Sequence, residues 1–327
     1  MATPFRFRGL TVLRQLAWAV APLAALGCGA GADAQGTATT EAPTARSAAG
    51  PDSATEPQQW VRLVRDGAGE PLAMETAIVR FVPAADYRDG RAAADYDRYV
   101  DLVGAVHIGD AAYYATLNKR FRDYDAVLYE LVAKQGTVVP RGRGISSSNP
   151  LGALQNGMKS MLEVEHQLEQ VDYTRPNFVH ADLSPDEFLK SMESRDESFL
   201  DLYLRVVTAS LAQQSEAAST GSSPEMEIMV ALLASDRARR LKIILAKQFE
   251  GMESLMLAFN GSEGSTLING RNTRALDVLE QQLAEGDRRL AIFYGAGHLG
   301  DMQEQLEKRF EMRPVSTEWL EAWTLRK

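Results

Sequence analysis

Residues 99–110 read YVDLVGAVHIGD, and residues 290–301 read LAIFYGAGHLGD. Their last seven letters nearly coincide: GAVHIGD (104–110) and GAGHLGD (295–301) differ only at Val106/Gly297 and Ile108/Leu299. The chain has four histidines, and these stretches hold His107 and His298. Each copy is an apolar run followed by Gly, His, Gly and Asp, then by a helical pattern. An apolar run closed by a turn reads as a buried strand. A strand that lacks polar alternation belongs in a sheet covered on both faces.

Working outward, Met74–Pro83 reads as a strand, Tyr99–Val106 as a buried strand, and 110–124 as a helix. Asp110 is its expected N-cap, and Tyr114, Leu117 and Phe121 form one stripe. Ala126–Val132 is a second buried strand, which completes a β-α-β unit. The far end repeats the plan with a helix over 277–284, a strand over 290–294 and a helix over 302–310. Residues 314–325 are expected as an edge strand. The middle, 149–260, is rich in helical pattern, and Ser223-Pro224 opens a long candidate helix there. The expectation is one α/β domain over 59–327. Its central sheet is mixed, mostly parallel, built of two related halves and flanked by helices, with a helical insertion or lid over 149–260.

The N-terminus reads as an export signal. Arg6, Arg8 and Arg14 precede an apolar run from Leu16 to Leu26, shorter than a typical membrane span. Ala25-Leu26-Gly27-Cys28 resembles a bacterial lipobox with Cys28, the single cysteine of the chain, as the acylated residue. An alternative cleavage site follows Ala32-Asp33-Ala34. Residues 29–58 are small and polar and are expected to be a disordered tether. The chain is therefore expected to be exported and lipid-anchored, facing the periplasmic or extracytoplasmic side. A net charge of −9 argues against a nucleic-acid partner.

The chemistry gathers around the repeat. In open α/β sheets ligands bind outside the carboxyl ends of strands. His107 and His298 both fall at such ends, so they are expected to face one pocket if their strands are neighbours. Gly104 and Gly295 allow close backbone approach, and Asp110 and Asp301 are expected to cap the following helices. Glu130 stands in an apolar strand (LYEL, 128–131). A charge there must be paired, bind a cation or shift its pKa. It is either a ligand or base, or the buried partner of an arginine such as Arg271 or Arg274. Two imidazoles and a carboxylate suit a divalent metal. In INGRNTR (268–274), Arg271 offers a fork for an oxyanion or carboxylate and Asn272 a donor. The plainer alternative is a helix start with Asn272 as cap and Arg271 in solvent. His180, with Asp182, is either a supporting pair near the site or a histidine beside the helix start at Ser184-Pro185. His166 (EVEHQLEQ) reads as solvated.

Gly104 with His107, Glu130, Arg271 with Asn272, and Gly295 with His298, in that order, resemble the TraB/PrgY/GumN superfamily. It includes the Tiki-type metalloproteases and is linked to the erythromycin-esterase and ChaN-like folds. The resemblance covers roughly residues 72–327, and YTRPNFVHADLS (173–184) also looks like a segment of bacterial members. It implies a metal-dependent hydrolase, metalloprotease-like, acting on a peptide or protein substrate, with Mn or Co rather than Zn as cofactor. His107 and His298 would be metal ligands or polarising groups, and Glu130 a ligand or the general base for a metal-bound water. Arg271 and Asn272 would steady an oxyanion or orient Glu130. The alternative is a non-catalytic haem-, iron- or peptide-binding module of the ChaN-like fold.

Overall fold

A computed structural model describes residues 46–47, 58–142, 161–195, 224–250 and 266–327. The expected export signal, Cys28, most of the tether and parts of the middle stretch lie outside the described residues.

Seven strands of three or more residues build one mixed sheet: β1 (Val61–Arg65), β2 (Pro71–Pro83), β3 (Tyr99–Ala105), β4 (Ala126–Tyr129), β5 (Phe178–His180), β6 (Arg289–Gly295) and β7 (Met312–Thr324). The main path runs β7-β2-β3-β6-β4-β5, and β1 pairs with the first half of β2. From β3 to β5 every neighbour pair is parallel. The β1-β2, β2-β3 and β2-β7 pairs are antiparallel. Arg46 and Ser47, inside the expected tether, pair with Trp319 and Glu318 of β7.

The strands alternate between two cores. Leu290, Ile292 and Tyr294 of β6 pack with α5 (Arg271–Glu285) and α6 (Leu299–Arg309) through Leu276, Leu279, Met302 and Leu306. Ala291 and Phe293 face the other side, among Tyr113, Tyr114 and Leu117 of α1 (Ala111–Arg120). A period of two through an apolar strand therefore serves two layers of helices. Helices α2 (Pro185–Ser194), α3 (Pro224–Leu233) and α4 (Arg237–Glu250), with a single helical turn at Gln167–Gln170, complete the α-helices of the described residues. Ser184 opens α2 with a capping box to Glu187, and Pro185 takes its first position. At the far end of α5, Gly286 adopts φ 105°, the left-handed C-terminal stop that glycine accepts without strain.

Several expectations are revised. Asp110 makes no side-chain cap; its carboxylate accepts instead from Lys242 Nζ and from the Thr324 N–H, both at 2.7 Å. Asp301 lies inside the first turn of α6 and accepts from two asparagines. In both cases a long-range donor wins over the local N–H groups. The middle stretch is not helical throughout: β5 joins the parallel sheet beside β4. His166 is buried, not solvated, because Glu165-His166 forms a short ladder with Ile108-Gly109. The repeat extends from strand to helix and then diverges. After α1 the chain enters β4, parallel to β6; after α6 it enters β7, antiparallel to β2.

Candidate functional site at four strand ends

Four consecutive neighbours in the sheet, β3, β6, β4 and β5, point their carboxyl ends the same way. Each delivers one side chain within three residues of its end: His107 after β3, His298 after β6, Glu130 after β4 and Asp182 after β5. Register explains the convergence of the histidines, since Ala105 lies opposite Gly295. Arg271, first residue of α5, enters the middle of this row.

Arg271 is almost wholly buried, at 2% exposure, and is held on several sides. Its Nε and Nη2 donate to the two Asp182 oxygens at 2.9 and 2.6 Å. Nη2 also donates to Glu130 Oε1 at 2.6 Å. The other Glu130 oxygen accepts the Gly295 N–H at 2.7 Å. A Cβ on residue 295 would stand 3.2 Å from that oxygen, so any larger residue here would crowd the carboxylate. Burial pushes the Glu130 carboxyl up, but Arg271, with His298, His107 and the Gly295 N–H, outweighs it and holds the group well below the usual carboxylate range. Two carboxylates against one guanidinium leave the cluster one negative charge in excess.

His298 is clamped on its other side. Its Nδ1 lies 2.7 Å from Asn272 Oδ1. Asn272 Nδ2 donates to the His298 carbonyl at 3.0 Å and to Asp301 Oδ2 at 2.7 Å. Because the amide presents its oxygen, Nδ1 carries the hydrogen and Nε2 keeps its lone pair. Nε2 lies 3.5 Å from Arg271 Nη1 and 3.7 Å from Glu130 Oε1. Burial pushes the imidazole pKa down to about 4; Glu130 opposes this, and Arg271 and His107 add to it. His298 is thus neutral at pH 7, with an unprotonated nitrogen toward the ion-pair cluster. His107 is partly buried and close enough to help lower the pKa of both Glu130 and His298. Its loop is held through its carbonyls: Gln167 N donates to the His107 carbonyl at 2.9 Å, and the Tyr114 hydroxyl to Val106 O at 2.9 Å.

Of the residues singled out in the sequence, Glu130, Arg271, Asn272 and His298 are joined directly, and His107 stands at their edge. The alternative of Arg271 in solvent with Asn272 as cap is overturned: both are buried, and Gly270 holds the cap position. Glu130 takes Arg271 as its partner. His180 does not pair with Asp182; its Nε2 meets the Leu131 carbonyl at 2.6 Å, tying the chain after β4 to β5. Asp182, 0% exposed at its side chain, belongs to Arg271. Sequence reasoning missed that pairing and the grip of Asp301 on Asn272. Both acids sit beside helix starts, where a capping role is the local expectation.

Both hydrogens of Asn272 Nδ2 are engaged, which removes Asn272 as a donor to a substrate oxyanion. The donor set around Glu130 is that of a guanidinium pair: each oxygen already accepts a hydrogen bond, and Arg271 supplies the counter-charge a metal would supply. Among the described residues, no three His, Cys, Asp or Glu side chains are grouped to hold an ion. The residues present therefore do not fit a two-histidine, one-carboxylate metal centre in this arrangement. Among the described residues no helix is long and apolar enough to cross a membrane.

No family model, curated protein or solved structure matches the chain.

Proposed function

We propose that this chain is an exported hydrolase, tethered to a membrane through Cys28, that cleaves an acyl bond of a peptide or protein at the four strand ends. The observation that carries the reading is His298: a neutral imidazole, its Nδ1–H fixed by Asn272, its Nε2 lone pair 3.7 Å from an ionised Glu130. Glu130, held ionised by Arg271 and the Gly295 N–H, is a weak base. Burial makes His298 weak too, with a pKa of about 4, but Asn272 orients its Nε2 lone pair and Glu130 compensates the positive charge it gains. His298 Nε2 takes a proton from water as the water oxygen bonds to the substrate carbonyl carbon. The same proton then passes to the leaving nitrogen as the carbon–nitrogen bond breaks. Glu130 opposes the positive charge that His298 gains, while Arg271 and Asp182 hold Glu130 in place. His107, the partly exposed member, faces the substrate. This moves the base from Glu130, where the family resemblance puts it, to His298. The TraB/PrgY/GumN assignment itself is proposed on the order of these motifs along the chain. Mn or Co dependence, which that resemblance implies, is the competing reading that metal resupply tests.

The test is cleavage of a peptide library by the full-length protein, stripped of metal and then resupplied with Mn, Co or Zn. The expected result is cleavage that disappears in His298→Ala. Activity that appears only with Mn or Co would restore His107 and His298 as metal ligands. No cleavage under any condition, together with tight haem binding, would replace the hydrolase by a haem-binding module.

A further inference from the structure

The second copy of the repeat ends in Asp301, and its carboxylate is engaged by two amides. Oδ1 accepts from Asn269 Nδ2 at 3.1 Å and Oδ2 from Asn272 Nδ2 at 2.7 Å. A carboxylate only accepts, so whichever end of the Asn272 amide faces it must be the NH2 group. The His298 carbonyl makes the same demand from a second side at 3.0 Å. With Nδ2 fixed by two acceptors, Oδ1 has one direction left, toward His298 Nδ1 at 2.7 Å. A reversed amide would place an oxygen against a carboxylate and a carbonyl, and an NH2 against the ring nitrogen. A buried amide pays heavily for such contacts. On the far side of the ring, Arg271 Nη1, 3.5 Å from Nε2, turns an N–H toward it and also favours a lone pair there.

We propose that Asp301 is a positioning residue for His298: through Asn272 it selects the imidazole tautomer that leaves Nε2 unprotonated and turned toward Glu130. Asp301 has no part in the chemistry itself. It sets which nitrogen is the base, and a neutral amide between acid and ring keeps the carboxylate from pairing directly with the imidazole. The last letter of GAGHLGD thereby acts on the histidine three residues before it by way of a different helix. The inference rests on His298 being the working base, but its test does not depend on a substrate.

The experiment is nitrogen NMR of the full-length protein labelled at histidine, with the His298 signals assigned by their loss in His298→Gln. The wild-type protein is expected to show Nδ1 protonated and Nε2 bare. Asp301→Asn can present either a donor or an acceptor to Asn272, so the tautomer ratio should fall about tenfold, the size of one lost hydrogen bond to a charged group. Asn272→Leu should equalise the nitrogens further. A wild-type His298 protonated at Nε2, or a ratio unchanged in both variants, would overturn the proposal. If the ratio shifts as expected while the wild-type protein cleaves nothing, the tautomer lock stands and the hydrolase reading falls. Where cleavage is present, kcat should drop in Asp301→Asn with KM held.

Discussion

GAVHIGD and GAGHLGD are nearly the same words, yet the molecule uses them differently. In the first copy the chain after β3 runs on in extended form, and Ile108-Gly109 pairs with Glu165-His166. The Trp323 indole donates to Ile108 O at 2.8 Å, and Asp110 is bound by Lys242 and Thr324. These contacts knit a loop to distant strands and to α4, and His107 is left partly exposed. In the second copy Gly297, in place of Val106, is part of a tight turn over Ala296–His298, and His298 is buried against Asn272. Both terminal acids abandon capping for a long-range donor, but one secures the scaffold and the other reaches the imidazole. Nearly identical local chemistry, given different neighbours, yields a partly exposed histidine in one place and a buried, amide-bound one in the other.

That contrast breaks first at the histidines. His298→Ala should lower kcat by about 10²–10⁴-fold, the usual contribution of a positioned base. His107→Ala should lower it less and act more on KM, as steady-state kinetics on a cleaved peptide would show. Equal losses would mean the copies work as one symmetric site.

The ion pairs come next. Arg271→Met leaves Glu130 and Asp182 buried without their cation, and about 3–5 kcal/mol of stability should be lost in urea unfolding. In the first copy the Lys242–Asp110 pair has one partner more accessible to water, 19% for Asp110, so Lys242→Met should cost less.

Titration sharpens the comparison further. His298 has a folded pKa of about 4 against an ordinary 6.5. Between these values the unfolded chain binds more protons, so stability rises with pH through this window and is lost as pH falls toward 4. The full effect is about 3 kcal/mol as an upper bound. Glu130, also depressed, acts in the same direction at lower pH, below the ordinary carboxylate range. Urea midpoints measured from pH 7 to pH 4 should fall steeply for the wild-type protein and less steeply for His298→Gln.

The smallest effect separates the two later glycines of the repeat. Around Gly300, in α6, nothing lies within 4 Å of an added Cβ, so Gly300→Ala should stabilise by about 0.5–1 kcal/mol through helix propensity. Around Gly109 the Tyr113 and Tyr114 side chains stand at 3.1–3.4 Å, so Gly109→Ala should destabilise. Thermal melting of both variants decides it.

Much of this was legible in the letters. The strands around 99–105, 126–129 and 289–295 are short apolar runs, and burial on both faces leaves such runs few other places to go. Glu130 announced itself as a charge in an apolar setting. Asp182 did not, because HADLSP reads locally as a helix start, and the cap there is Ser184. His166 was misread because a polar neighbourhood in sequence says nothing of a ladder with Ile108. Asp101, another acid in an apolar strand, is explained only by distant partners: Arg80 holds it at 2.8 and 2.9 Å, and Tyr124 Oη at 2.6 Å.

By itself the sequence determined the α/β class, the two strand-histidine-helix units and the short list of polar residues with reactive chemistry. These depend on periodicity and composition, which act over a few residues. Only the tertiary structure decided that β3, β6, β4 and β5 are neighbours in that order, that Arg271 answers both Glu130 and Asp182, and that Asp301 governs His298 through Asn272. Those pairings join residues from 29 to 141 positions apart. Hydrogen-bond direction and burial select them only once the sheet has brought the strand ends together.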